Sequence, residues 1–367
     1  MVEWKKLISV SDVLYGYPFE SSLFTEDSDN IPLIRIRDVK PAIASTYYSG
    51  QILDDYRIRR GDILVGMDGE FNLGKWNDRD GLLNQRVLKL KGKEGLCLDG
   101  FLFHYMGPVF KKIEKETAGG SVKHLSAKAI NQIVIPVPPI NKQEQIVDML
   151  DAFTSSIDNL KQQIAQRRKQ YEYYRDQLLD LEGKEGVEKR VLKEVCEVIN
   201  GRAYSQPELL DKGKYRVLRV GNFFSNDSWY YSDLELEDKY YCNKGDLLYA
   251  WSASFGPHIW EEEKVIYHYH IWKMNCKEAL DTKYMYYWLQ SEDMKKQAFS
   301  NLHGATMAHL TKVLMESLKV PVPSLSEQQR IVDILDKFEA SIQNLEAQLS
   351  QREKQYEYYR NKLLTFE

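Results

Sequence analysis

The sequence predicts an α+β protein written twice in one chain. Two α/β globular halves are each followed by a long helix, and the helices pair antiparallel as a coiled coil about an internal pseudo-twofold axis. Three observations predict it. The heptapeptide KQYEYYR stands at residues 169–175 and again at 354–360. Its surroundings repeat in the same register: Ile146 matches Ile331, and 331 minus 146 is 185. Tyr171 and Tyr356, Pro136 and Pro321, Leu125 and Leu310, and Leu7 and Leu192 keep that spacing. Finally, a run of heptad periodicity closes each copy.

The copies divide the chain into a first globular half (residues 1–140), a first helix with its linker (141–186), a second half (187–325) and a second helix (326–367). Within the halves the register slips by one residue. At an offset of 184, IRIRD at 34–38 falls on LRVGN at 218–222, and GDIL at 61–64 falls on GDLL at 245–248.

The helices follow from their apolar spacing. Ile146, Leu150, Phe153, Ile157, Leu160, Ile164, Tyr171, Tyr174, Leu178 and Leu181 step by fours and threes, broken only at Arg167. The second copy repeats this from Ile331 to Phe366 with Arg352 at the break. Capping boxes are expected at Asn141 with Glu144 and at Ser326 with Gln329, and Gly183 is expected to end the first helix. Each helix would run about 60 Å at 1.5 Å per residue, against a radius of gyration near 14 Å, roughly, for a globular half. Entry and exit of the second half should therefore lie close together, which makes the helices antiparallel. Phe153 should then meet Tyr359, and Tyr174 should meet Phe338. Arg168, Tyr173, Glu353 and Tyr358 lie off the seam, on faces open to partners.

Composition bounds the function. With 367 residues, 43% apolar and 28% charged, the chain can bury more than one core. Neither a signal-peptide core nor an apolar run of membrane-spanning length occurs, so a cytoplasmic protein without membrane contact is expected. Cys97, Cys196, Cys242 and Cys276 form no CxxC pair, and free thiols are expected. A net charge of −4 supplies no general attraction to nucleic acid. Phosphate-binding, dinucleotide and HExxH motifs are absent, so no catalytic constellation is expected. Asp246 with Glu262, Glu263 and Lys264 loosely resembles the acids and lysine of a metal-dependent nuclease, but the aligned first copy offers NDRD without the lysine. His268 and His270 alternate in YHYHIW as metal-ligating imidazoles could, yet they align with Asn84 and Arg86, so polar readers fit both copies better than a metal site.

Candidate readers of base edges and phosphates are polar residues on strands and glycine-flanked loops. In the first half these are Arg35 and Arg37, alternating on a strand, Lys75 and Trp76 after a hairpin, Asn84, Arg86, Ser121, Lys123 and His124. In the second half they are Arg219, Asn222, Trp251, Ser252, Ser254, His258, His268, His270, His303, Thr306 and His309.

Two variable halves carrying IRIRD or LRVGN and GDIL or GDLL, each closed by PVP, then QEQIVD or EQQRIVD and a helix ending in QYEYYR, resemble the specificity subunit of a Type I DNA restriction-modification system. The resemblance covers essentially the whole chain. It implies two target recognition domains, each reading one half of an asymmetric, bipartite site in double-stranded DNA, with the helices as spacer. It also implies docking of two methyltransferase subunits that carry S-adenosylmethionine, and restriction subunits that use ATP and Mg, so this chain would bind no cofactor. A coiled-coil scaffold bridging two proteins without DNA readout uses the same helices and is the alternative.

Overall fold

The computed structural model describes residues 2–117, 123–224, 226–252, 255–299 and 310–366. It divides into two compact units, one of residues 1–160 with 348–367, the other of residues 161–347.

Each unit is built from three sheets, of which the first two match in strand number and the third differs by one strand. In the first, Glu3–Lys6 pairs antiparallel with Val134–Val137, bringing Trp4 opposite Pro136. A four-stranded sheet runs Ser11–Tyr15, Val87–Gly92, Ile63–Gly66, Leu73–Lys75, and a five-stranded sheet is centred on Ile31–Ile34 beside Gly81–Leu83. In the second unit Glu188–Val191 pairs with Lys319–Val322, and a four-stranded sheet runs Cys196–Asn200, Ile271–Cys276, Leu247–Ala250, Gly256–Ile259. A further four-stranded sheet contains Tyr215–Leu218 beside Val265–Tyr267. The proline-rich segments are therefore short edge-paired strands rather than loops, as suits a residue without an amide donor.

The aligned motifs do the same work in both units. Gly61 and Gly245 take φ of +94° and +92°, a turn closed to side chains with a Cβ. The following carboxylates close that turn, Asp62 accepting from the Arg59 amide at 2.8 Å and Asp246 from the Asn243 amide at 2.8 Å. Lys89 and Lys273, on the neighbouring strand, approach these carboxylates at 3.3 and 3.7 Å. Trp76 and Trp260 finish the hairpin, each buried, each donating its indole N–H to the carbonyl three residues on. Trp76 is thus a core residue, 1% exposed, and not a reader. IRIRD is not a continuous strand: the strand stops at Ile34, Arg35 is an N-cap, and Ile36–Val39 is a helical turn. Asp38 accepts from the Arg35 amide at 2.9 Å, and its counterpart Asn222 accepts from the Arg219 amide at 3.0 Å.

The long helices are Ile140–Leu179 and Leu325–Leu363. They begin a residue earlier than the expected caps. Ser324 Oγ accepts from the Glu327 amide, and the Pro139 carbonyl takes the first amides of the other helix. Gly183 lies in a turn beyond the end of its helix, at φ +71°. The start of each helix is fixed instead by a fully buried glutamine. Gln143 donates to the carbonyls of Leu96 and Pro138 and accepts from the Leu98 amide. Gln328 repeats this with Ala279, Pro323 and Asp281. Satisfying three backbone groups in an apolar core favours this residue over any aliphatic one.

The seam explains its own interruptions. In the first unit Phe153 stacks on Tyr359, with centroids 5.3 Å apart, and the Arg352 guanidinium lies 5.7 Å from the same phenyl ring. In the second, Phe338 stacks on Tyr174 at 5.5 Å beneath Arg167 at 6.0 Å. The arginines that break the heptads each cap a phenylalanine. Pairs Tyr174–Phe338 and Arg168–Glu346 run in opposite senses along the two helices of the second unit, so these stretches are antiparallel.

Candidate functional site

KQYEYYR anchors each globular part to its helix. In the first unit the imidazole of His104, 1% exposed, has Nε2 at 2.6 Å from Asp151 and Nδ1 at 3.0 Å from the Tyr356 hydroxyl. Burial holds the imidazole below its usual pKa, against the opposing pull of Asp151. In the second unit the matching place is taken by Tyr287, which donates to Asp336 at 2.6 Å, while Tyr171 and Tyr286 join it around Glu339. Burial raises the Glu339 pKa. Lys75 belongs to this anchor: its ammonium sits 3.4 Å from Asp151 and 4.7 Å above Phe103, so it is a packing cation.

Three first-half candidates converge. The turn Asn84 to Arg86 joins Gly81–Leu83 to Val87–Gly92, and Arg86 adopts φ +71°, which a non-glycine residue takes only when held. Its carbonyl accepts from the Met67 amide and the Gln85 amide donates to Tyr17, which fixes the turn. Asn84 is buried and caps the next amide, so it shapes the turn rather than facing solvent. Asp68 then gathers the nitrogen groups of this turn, with His124 at 2.5 Å and Arg86 at 3.4 Å. Lys123 stands beside them, its carbonyl on the Gly69 amide and its ammonium 3.7 Å from Glu114. Arg86 and His124 remain about half exposed, so the guanidinium and the imidazole edge are open to a ligand. Asp68, in GMDGE, was missed by sequence reading; an acid two residues beyond a buried strand was its only signal. Arg35 lies over Phe24, and Arg37 donates to Ser45 at 2.8 Å and Thr46 at 2.6 Å, so neither joins this cluster. Ser121 lies outside the described residues.

The second unit uses the same turn with different chemistry. His268, Tyr269 and His270 follow Val265–Tyr267 and precede Ile271–Cys276, so the histidines flank a tight turn instead of alternating on one strand. Trp251 donates its indole N–H to Tyr269 and meets His270 edge-on at 5.1 Å; Tyr204 stacks on His268 at 6.3 Å. Burial, with His270 and Arg219 nearby, pushes the His268 pKa down to about 4, which leaves a neutral ring with one donor and one acceptor near neutral pH. Arg219 stacks its guanidinium on Tyr230 at 4.2 Å, with Nε buried and unpaired among the described residues. Tyr204 and Tyr269 were not foreseen; of the tyrosines in YHYHIW, Tyr269 lies on this face while Tyr267 is buried in the core. Ser252 is half-buried on its rim. Ser254, His303, Thr306 and His309 lie outside the described residues.

Two other candidates are structural. The Asn222 amide donates to the carbonyls of Asn226 and Ser228, which uses all of its capacity within its own loop. His258 stacks flat on Phe223 at 4.1 Å, where the first unit has Gly74 packed on the Val39 carbonyl. The nuclease-like set is also accounted for: Asp246 closes its turn, Glu262 pairs with Arg216 at 2.8 Å, and Lys264 covers the Tyr241 ring. Among the described residues no group of three or more His, Cys, Asp or Glu is placed to hold a metal, and no helix is long and apolar enough to cross a membrane.

On the helices, Tyr173 and Tyr358 are 61% and 60% exposed, each edge-on to the next tyrosine at 5.3 and 5.2 Å. Arg168 is engaged with Glu346 across the helix pair and so supports the seam as well as the surface.

Comparison with known proteins places these features in context. The type I restriction modification DNA specificity domain matches residues 1–167 and again residues 184–353. The EcoBI specificity subunit of a type I restriction enzyme from Escherichia coli is 39% identical over 158 residues, 43% of this chain and 33% of that protein. The match thus spans a third of that relative's length. A putative type I restriction enzyme specificity subunit of Haemophilus influenzae is 28% identical over 100% of this chain and 96% of its own. The crystal structure of the S subunit of a type I restriction-modification system from M. genitalium has the same fold, with TM-score 0.63, 17% identity, and coverage of 100% of this chain and 97% of that one.

Proposed function

Because the chain belongs to the type I restriction modification DNA specificity family and carries that domain once in each half, we propose that each unit reads one half of a bipartite, asymmetric site in double-stranded DNA. One observation carries the reading: on duplicated scaffolds, the same turn offers Arg86 beside His124 in one unit and His268, Tyr269 and His270 in the other. The framework is equal and the donors, acceptors and apolar edges differ, which is what two unlike half-sites require. A specificity subunit has no catalytic group of its own. Two methyltransferase subunits, docking on the helix faces around Tyr173 and Tyr358, would supply S-adenosylmethionine and the methylation of adenine. Restriction subunits would supply ATP and Mg chemistry.

The test is methylation mapping in cells that express this chain with its methyltransferase. Replacing residues 1–140 by the matching part of a relative should change one half of the methylated sequence and leave the other. Arg86→Ala should relax that same half alone. A swap that alters both halves together would overturn the modular reading.

A further inference from the structure

A groove of about 820 Å³ opens in the first unit between the helix Asp99–Glu116, residues 70–73 and the last turns of Leu325–Leu363. Lys40, Lys111, Lys112, Lys115 and Arg360 line it, against Glu70, Glu114 and Glu357. The cations outnumber the carboxylates; Glu114 is already committed, accepting from the Phe71 amide and pairing with Lys123, while Lys112 shares an exposed, solvent-screened ion pair with Glu116 at 3.8 Å.

The duplication shows that this charge is not demanded by the fold. Arg360 corresponds to Arg175 in the repeated heptapeptide. Arg175 is neutralised by Asp176 at 3.1 Å, whereas the residue after Arg360 is the neutral Asn361. The Nε of Arg360 is buried with no hydrogen-bond partner among the described residues. Lys40, at the 184-residue offset, corresponds to Phe224. The groove also runs into the Asp68 cluster. Residues 69–71 carry both the Gly69 amide that binds Lys123 and the Phe71 amide that binds Glu114, so Arg86, His124 and Lys123 continue into the row of lysines on the helix.

We infer that this groove carries the DNA backbone, with Lys111, Lys112 and Lys115 neutralising phosphates that flank the bases met by Arg86 and His124. This deepens the DNA reading proposed above and rests on it. The three lysines are exposed and set no base preference. Continuity with the reading turn favours nucleic acid over an acidic polypeptide as the occupant.

The experiment measures binding of the full chain to a fluorescent duplex of arbitrary sequence across a NaCl series, for wild type and for the triple variant Lys111→Gln, Lys112→Gln, Lys115→Gln. Glutamine keeps the helix propensity, and thermal unfolding checks that the fold is retained. The salt slope of log K should fall by about 1 for each lysine, about 3 in all, with affinity at low salt reduced on the order of tenfold or more. An unchanged slope in a variant that still binds would overturn the groove and leave the DNA reading standing. A wild-type chain that binds no duplex even at low salt would overturn both. If the variant keeps its DNA slope but no longer binds polyglutamate, the groove belongs to an acidic polypeptide and the inference is wrong.

Discussion

The ring of His104 joins the Asp151 carboxylate to the Tyr356 hydroxyl, at 2.6 and 3.0 Å, and so ties the first globular part to both long helices. Lys75 and Arg360 are the cations facing it, and both oppose its protonation. The same place in the second unit holds Tyr287, which has no charge change near neutral pH. The first anchor therefore carries its proton-sensitive group on an imidazole, whereas in the second the group shifted by burial is the Glu339 carboxyl.

Burial depresses the His104 pKa in the folded state. Above about pH 6.5, the unfolded value, both states are neutral and the contribution to stability is complete. As pH falls from there through the folded pKa, the unfolded chain takes up a proton that the folded one resists, and stability is lost. Urea midpoints measured across this range should fall for wild type and fall less for His104→Gln.

The stacked pairs on the seam should couple. A double-mutant cycle with Tyr174→Ala and Phe338→Ala is expected to give about 0.5–1.5 kcal/mol of interaction energy. Additivity of the two single variants in chemical unfolding would show that the stacking contributes nothing beyond burial.

Gly61→Ala and Gly245→Ala place a Cβ at φ of +94° and +92°. Each should cost about 1–2 kcal/mol through backbone strain alone, because among the described residues nothing stands within 4 Å of the added carbon. The shift is to be read from thermal unfolding, and equal costs in the two copies are expected from their equal turns.

Tyr173→Ala combined with Tyr358→Ala removes two exposed rings from the helix faces. The unfolding midpoint should stay near wild type, while sedimentation of the chain with its methyltransferase should show fewer subunits bound. Full stoichiometry would place the docking surface elsewhere.

The architecture was legible because duplication exposes register: the offsets of 185 and 184 align Gly61 with Gly245 and Phe153 with Phe338 before any coordinate is known. The anchors were less legible. His104 and Tyr287 perform one task with different side chains, and no pattern of residue types connects them. The reading candidates divided by burial. Trp76, Asn84, Asn222 and His258 have the chemistry of readers but spend it on their own backbone or on a neighbouring ring. Arg86 and His124 share Asp68 yet stay about half exposed, and the His268 turn stays partly exposed. Whether a polar side chain is consumed locally depends on turn geometry, such as the positive φ of Arg86, which sequence alone did not disclose.

The composition of the units sets an order on folding during synthesis. The second unit is one continuous stretch, residues 161–347, while the first needs residues 348–367 to cover the core formed by its opening 160. His104 and Tyr356 are 252 positions apart, so this closure is a contact of very high sequence separation, with the slow kinetics that long loop closure brings. On a translating ribosome, domains usually complete in order from the N-terminus. Here the half made first would be the half finished last, with the apolar surface that receives Phe366 and Tyr359 waiting uncovered until the second helix emerges.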